Sequence, residues 1–193
     1  VKILGQLHGL KAVLNIGANI GDTASIIRLS GFSGMLYCVE GQRTYQNHFV
    51  ENFRDDRLVR LIPQYWGKKR NGYTENELSG NCKLVANSGS DSVDAIEFTS
   101  PIDNKEISQK EWDDIELIIS DCEGFDGEIL RIIREDCIND SIPIFFEYVY
   151  DSWESLEEGS SIKFFSSMMS LNYTHVTLWD NTGHFRGSTS LEN

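Results

Sequence analysis

The sequence predicts an α/β protein in which a mostly parallel β-sheet is covered by helices on both faces. Two observations support this fold class: short apolar runs alternate with amphipathic stretches, and most of the apolar runs end at a glycine or an acidic residue. A length of 193 residues with 40% hydrophobic residues is enough for one buried core. We therefore expect a single domain over residues 1–193.

The first half of the chain contains two strand–helix units and a third strand. Asp22 or Thr23 suits the start of the first helix, and Gly31 suits its end. In the second helix, Tyr45, Phe49 and Phe53 recur at the spacing of one helical face. The predicted elements are strand 12–16, helix 22–30, strand 35–39, helix 42–54 and strand 59–62.

The second half begins with an irregular stretch over residues 67–107, which is rich in Gly, Asn and Ser. Within it, residues 83–85 and 94–98 could pair as strands. Regular patterns return afterwards, and the turn at residues 180–183 predicts a closing hairpin. The predicted elements are strand 115–120, helix 125–136, strand 142–146, helix 160–171 and hairpin strands 174–179 and 184–186.

Charge and cysteine usage limit the classes of partner. Thirty acidic residues against 17 basic ones give a net charge of -13, which argues against binding to nucleic acid. The four cysteines are too far apart in sequence for a C-x-x-C motif, and no apolar segment is long enough to span a membrane. The histidines lack metal-ligand spacing, and no metal is expected from them. We expect a reduced, cytoplasmic protein.

The segment VLNIGANIGDTA at residues 13–24 predicts a ligand loop at the end of the first strand. Gly17 and Gly21 allow a tight turn close to a ligand, but the third glycine of a dinucleotide fingerprint is absent. Asp22 would repel a phosphate. Glu40 ends the second strand, at the distance along the chain where an acid accepts hydrogen bonds from ribose hydroxyls. Together these residues indicate an adenosine-containing ligand without pyrophosphate.

Several blocks then resemble one family in the order in which they occur. The blocks are NIGANIGDTA (15–24), LYCVEG (36–41), IELIISDCEGFDGEIL (115–130), PIFFEY (143–148) and FFSSMMSLNYTHVTLWDNTGHFRG (164–187). They resemble the FkbM family of class I S-adenosylmethionine-dependent methyltransferases.

The resemblance implies a Rossmann-like three-layer αβα sandwich with a seven-stranded sheet whose last strand is antiparallel. It implies O-methylation of a sugar or another small molecule, with S-adenosyl-L-methionine as the cofactor. A homodimer is a possible oligomeric state. The residues expected to bind the cofactor are Asn15, Gly17, Ala18, Asn19, Gly21, Asp22, Glu40, Trp66 and Asp121.

Methyl transfer to a hydroxyl requires a base, and three acidic residues follow the fourth and fifth predicted strands. Asp121, Glu123 and Glu147 are the candidates, since neighbouring carboxylates raise one another's proton affinity. The same acids could instead hold Mg²⁺ or Ca²⁺. Trp66 could stack on adenine. Two other functions stay open at this point: a non-catalytic cofactor-binding domain, favoured by Asn15, and a nicotinamide oxidoreductase.

Overall fold

The computed structural model describes residues 7, 9–76, 82–86, 95–138, 142–156, 158–180 and 182–191. The strands are β1 (Ala12–Ile16), β2 (Met35–Val39), β3 (Val59–Ile62), β4 (Tyr65–Trp66), β5 (Arg70–Asn76), β6 (Cys82–Ala86), β7 (Ala95–Thr99), β8 (Ile115–Ser120), β9 (Ile144–Phe146), β10 (His175–Trp179) and β11 (Phe185–Ser190). The α-helices are α1 (Asp22–Leu29), α2 (Arg43–Phe53), α3 (Gln109–Asp113), α4 (Asp126–Ile132), α5 (Tyr150–Leu156) and α6 (Ser160–Ser170).

The central sheet contains five strands in the order β3-β2-β1-β8-β9. All of its neighbouring strands run parallel, which agrees with the mostly parallel sheet predicted from the sequence, but the expected antiparallel last strand is not among these five. Each of these strands was predicted within two residues of its bounds. Parallel strands need crossover connections, and α1 and α2 supply the first two of them.

Two apolar clusters cover the two faces of this sheet. Side chains alternate along β1, so Val13 packs in one cluster with Ala24 and Ile27 of α1. Leu14 packs in the other cluster, together with Ile129 of α4 and further side chains from α5 and α6. Helices on both faces of a parallel sheet make three layers, as expected.

Residues 65–99 contribute a second sheet of four strands in the order β4-β7-β5-β6. The predicted pairing segments 83–85 and 94–98 fall on β6 and β7, although residue 94 lies outside the described residues. Strand β5 was not predicted, because its sequence RNGYTEN has no apolar alternation. The described part of the irregular stretch therefore contributes three strands to a small second sheet.

The closing hairpin forms as predicted, with β10 and β11 antiparallel. It is a separate two-stranded sheet, so the expected seven-stranded count is not confirmed in the described residues. The hairpin approaches the central sheet through side chains, since the rings of Trp179 and Phe145 of β9 lie 6.1 Å apart.

The helix predicted over 125–136 is α4 followed by a π-helical turn, Ile133–Cys137. Helices α3 and α5 were not predicted. Among the cysteines whose side chains are described, Cys38, Cys122 and Cys137 are buried and free, as expected for small apolar side chains. Within the described part of the chain, every helix is too short or too polar to cross a bilayer.

Candidate functional site

An open cleft lies at the carboxyl ends of β1, β2 and β8, where parallel α/β sheets bind their ligands. Its walls come from the loop after β1, the loop after β2, the segment before and within β4, and the segment after β8. The sequence-predicted residues that line it are Gly17, Asn19, Asp22, Glu40, Trp66, Asp121 and Glu123.

The loop after β1 is built on two glycines with left-handed backbones. Gly17 has φ +77, and a Cβ at this position would overlap the carbonyl oxygen of Asp121. The backbone N–H groups of Gly17 and Ala18 both donate to the carbonyl oxygen of Val39, at 3.0 and 2.9 Å. Gly21, with φ +98, precedes α1 and lies against the ring of Phe53. The loop is thus held against β2 and β8 by close backbone contacts that require glycine.

Glu40 lies at the junction of the first two loops and is 8% exposed. Its Oε2 accepts a 2.8 Å hydrogen bond from the N–H of Asn19, and its Oε1 accepts a 2.6 Å bond from the N–H of Gln42. Burial raises the pKa of Glu40, and these backbone hydrogen bonds oppose the rise. A third backbone N–H, that of Gly41, also hydrogen-bonds this carboxylate, which has about four acceptor sites and so keeps capacity for a ligand in the cleft.

Amide and aromatic side chains form the next part of the wall. The hydroxyl of Tyr65 donates to Oε1 of Gln42 at 2.8 Å, and the ring of Tyr65 packs closely on Gly41. Trp66 donates from Nε1 to Oε1 of Gln64 at 3.2 Å. Trp66 is only 3% exposed and packs beside Trp112, so it offers little ring surface to a ligand. Tyr65, which is half-buried, is the more accessible ring of the two.

The acidic side of the cleft centres on Asp121. A hydrogen bond links its carboxyl group to that of Glu147, which follows β9. Loss of hydration raises the pKa of Asp121, and the nearby Asp22 carboxylate raises it further. Loss of hydration also raises the pKa of Glu147, helped by the charges of Asp121 and Glu123. The two carboxyl groups therefore bind a proton more readily than isolated ones do.

A buried polar group supports the segment that carries Asp121. The carboxylate of Asp126 is fully buried, and its Oδ1 accepts a 2.6 Å bond from the Ser120 hydroxyl and a 3.1 Å bond from the N–H of Cys122. These contacts tie the end of β8 to the start of α4. Burial raises the pKa of Asp126 to about 7. Asp126 thus holds the Asp121 loop in place rather than facing the cleft.

Four of the predicted site residues do not line the cleft: Asn15, Ala18, Gly21 and Glu147. Asn15 is the clearest departure. It lies within β1, paired in register with Cys38, and its side chain is buried, with Nδ2 lacking a hydrogen-bond partner within the described residues. Successive side chains of a strand point to opposite faces of the sheet, so Asn15 points to the same face as Val13. A direct contact between Asn15 and a bound ligand is therefore not supported by the structure.

The other three residues contribute to the cleft without lining it. Ala18 is buried beneath the loop, and Gly21 shapes the start of α1. Glu147 reaches the cleft through its hydrogen bond with Asp121. Gln64 and Tyr65 were recognised from the sequence only as strand-end residues, without a ligand role, and Gln42 was not predicted at all. Their positions directly after β2 and β3 were the available signal, because side chains after parallel strands gather at one edge.

No group of three or more His, Cys, Asp or Glu side chains in the described residues is arranged to hold a metal ion.

Comparison with known proteins identifies the fold. No protein-family model matches the sequence, and no curated protein matches it either. Solved structures do match. A precorrin-6y C5,15-methyltransferase from Geobacter metallireducens aligns with a TM-score of 0.52 at 12% identity, over 97% of this chain and 81% of that one.

Two further structures show the same likeness. A proposed O-methyltransferase from Klebsiella pneumoniae aligns with a TM-score of 0.52 at 16% identity, over 96% of this chain and 74% of that one. A proposed S-adenosyl-L-methionine-dependent methyltransferase from Methanococcus maripaludis aligns with a TM-score of 0.51 at 8% identity, over 95% of this chain and 80% of that one. The chain therefore has the Rossmann-like methyltransferase fold.

Proposed function

We propose that the protein is an S-adenosyl-L-methionine-dependent methyltransferase that acts on a hydroxyl oxygen of a small-molecule or carbohydrate acceptor. The observation that carries the proposal is the position of Glu40. Its buried carboxylate faces a cleft beside a glycine loop, in a chain with the methyltransferase fold. Fold alone does not define a reaction, so the reaction is inferred from the chemical groups that line the cleft.

The cleft residues fit the proposed cofactor. The Glu40 carboxylate is oriented by backbone N–H donors and lines the cleft, so its remaining acceptor capacity can serve the ribose hydroxyls. Glycine at position 17 allows a ligand to approach the backbone, and Asp22 and Asp121 provide negative charge for an ammonium group. Gln42, Gln64 and Tyr65 offer the polar atoms and ring surface that an adenine would contact.

When bound, the cofactor would supply an activated methyl group. The residues of the chain would then align the acceptor oxygen and remove its proton. Asp121 lies at the cleft with a raised pKa, so its ionised form is a stronger base than an ordinary aspartate. Its hydrogen bond with Glu147 gives the proton a second carboxyl group on which to reside. Glu123 also lines the cleft and is the third candidate.

The choice of oxygen as the methyl acceptor rests on this carboxyl pair and on the family resemblance of the sequence blocks. The resemblance to the FkbM family covers the glycine loop, the end of β2, the segment after β8 and the end of β9. Those four segments form or adjoin the cleft. The alternative is a cofactor-binding domain without catalysis, and it predicts the same binding but no turnover.

Isothermal titration calorimetry of the protein with S-adenosylmethionine, S-adenosylhomocysteine and NAD tests the first half of the proposal. We expect binding of the first two and not of NAD. Transfer of a radiolabelled methyl group to a panel of sugars and hydroxylated small molecules tests the second half. Absence of S-adenosylmethionine binding would refute the proposed function, whereas binding without transfer to any acceptor of the panel would favour the non-catalytic alternative.

A further inference from the structure

A second, smaller cavity adjoins the end of the segment that carries Asp121 and Glu123. Gly124 lines it directly after that segment, and Gly127 and Arg131 line it from α4. Ser160 and Lys163 line it from the first turns of α6. Ile129 of the same helix α4 lines the cleft, so α4 borders both spaces.

The basic character of this cavity is unusual for the chain. The whole sequence has 30 acidic and 17 basic residues, yet two basic side chains meet here. Arg131 is half-buried and makes no hydrogen bond or ion pair within the described residues. Lys163 is exposed and donates from Nζ to the carbonyl oxygen of Glu158 at 3.1 Å, so its charge stays at the rim. A guanidinium without an acceptor offers a fork of donors to an oxyanion.

A buried hydroxyl adds a second, independent indication of a ligand. Ser160 Oγ is buried and has no hydrogen-bond partner. A buried polar atom without a partner is rare in native proteins and calls for a ligand or a water molecule. The backbone N–H groups at the start of α6 do not supply a partner for Ser160 Oγ. Those of Gly159 and Ser161 already donate to the carboxylate of Glu154 at 2.6 and 3.0 Å.

One acidic side chain, Glu128, also belongs to the cavity wall, where the two basic side chains outnumber it. Glu128 accepts a 2.8 Å hydrogen bond from the N–H of Lys68 at Oε1. The size of the cavity also limits the ligand. Its volume of about 30 Å³ corresponds to two or three water molecules, at roughly 10–15 Å³ each. A carboxylate group, with its two oxygens, has this size.

We propose that this cavity binds a carboxylate of the methyl acceptor, so that the protein prefers acidic acceptors such as uronic acids over neutral sugars. Arg131 binds the carboxylate oxygens, Ser160 donates a hydrogen bond, and Lys163 adds positive charge at the rim. This preference depends on the proposed function, but binding of a carboxylate in the cavity does not. Carboxylate binding in the cavity and the preference for acidic acceptors are therefore tested separately.

The first experiment titrates acetate against the ¹⁵N-labelled protein without any cofactor. Trp153 lines the cavity, so its indole N–H resonance reports on the site. We expect a saturable shift with acetate and none with equal concentrations of chloride. In Arg131→Gln the dissociation constant for acetate should rise at least fivefold. Arg57→Gln removes an exposed arginine elsewhere and should leave it unchanged.

Equal acetate affinity in the wild type and in Arg131→Gln would overturn the proposal, as would a shift that chloride reproduces. If Arg131→Gln does not fold, Lys163→Gln replaces it, because Lys163 is exposed on α6. For this variant we expect a rise of about twofold to threefold, and no rise would equally count against the site.

The second experiment compares transfer to a hexose and to the corresponding uronic acid. We expect the uronic acid to have the lower KM, and Arg131→Gln to raise KM for the uronic acid only, with kcat kept. Equal KM values for both acceptors in the wild type would refute the acceptor preference. Failure of S-adenosylmethionine to bind, with an acetate shift still present, would refute the proposed function and leave the carboxylate site standing.

Discussion

The backbone N–H of Asn19 donates a 2.8 Å hydrogen bond to Oε2 of Glu40, which joins the loop after β1 to the end of β2. Asn19 has a left-handed backbone with φ 51, a conformation that asparagine tolerates better than most residues. The bond therefore has two effects. It fixes the shape of the glycine loop, and it orients the Glu40 carboxylate with one side towards the cleft.

Replacement of Glu40 by glutamine should weaken binding of S-adenosylhomocysteine. The amide keeps one acceptor oxygen but places an NH₂ group against a backbone N–H donor, so both the loop and the proposed ribose contact are disturbed. We expect a loss of about 2–3 kcal/mol, or roughly 30-fold to 150-fold in affinity, measured by calorimetry. Glu51→Gln, on the exposed face of α2, is the matched control. An unchanged affinity in Glu40→Gln would refute the ribose assignment.

The contact between Gly17 and Asp121 gives a prediction on stability. Alanine at position 17 would place a Cβ onto the Asp121 carbonyl oxygen, at a backbone with φ +77. The comparison is Gly183→Ala, because Gly183 has φ +79 but no atom within 4 Å of its Cβ position. Urea unfolding should show a loss of about 1 kcal/mol for Gly183→Ala from backbone strain alone and of ~3 kcal/mol or more for Gly17→Ala. Equal losses of unfolding free energy in the two variants would mean that the glycine loop shifts away from Asp121 at little cost.

The carboxyl pair gives a prediction on turnover, made for the reaction proposed above. Asp121→Asn should lower kcat by about 10²–10³-fold, because general bases contribute on this scale, while affinity for S-adenosylhomocysteine changes less. Glu123→Gln serves as the comparison, since Glu123 lines the cleft but does not share the hydrogen bond with Glu147. A larger effect in Glu123→Gln would transfer the role of base to that residue.

Glu147→Gln tests the same pair through pH. The hydrogen bond from Glu147 lowers the pKa of Asp121, against the rise caused by lost hydration and by Asp22. Glutamine can still donate a hydrogen bond, but Glu147→Ala cannot. We therefore expect the acid limb of the kcat profile to move to higher pH in Glu147→Ala and to move less in Glu147→Gln. An acid limb that is the same in both variants and the wild type would exclude Asp121 as the base.

The central sheet was predictable because its strands are short apolar runs with glycine or acidic residues at their ends. Burial on both faces of a parallel strand demands such runs, and β1 illustrates this with five buried residues. The small sheet was harder to predict, because β5 lacks apolar alternation and its pairing with β6 and β7 is long-range. Helix α3 was missed because a five-residue helix carries too little periodicity.

The cleft was predictable in its position and in its glycine and glutamate residues, since these follow from the order of the strands. The direction of each side chain was not. Asn15 was expected at the ligand, yet its side chain is buried on the face of the sheet that Val13 shares. Trp66 was expected to offer its ring, yet packing beside Trp112 buries it. Such outcomes depend on tertiary packing, which a single sequence does not display.

The buried Asp126 should make stability depend on pH. In the folded protein its pKa is about 7, against 3.8 for an exposed aspartate. The folded state therefore binds this proton more tightly than the unfolded state. The resulting stabilisation is complete below pH ~4 and is lost as the pH rises through about 7, by on the order of 4 kcal/mol.

Asp126→Asn isolates this effect, because asparagine keeps an acceptor for the Ser120 hydroxyl and the Cys122 N–H but cannot ionise. We expect the free energy of unfolding in urea to fall between pH 4.5 and 7.5 by about 2–3 kcal/mol more in the wild type than in Asp126→Asn. Asp55→Asn, at a side chain 92% exposed, should follow the wild type. A pH dependence in Asp126→Asn equal to that of the wild type would mean that Asp126 is already ionised at pH 4.5 in the folded protein.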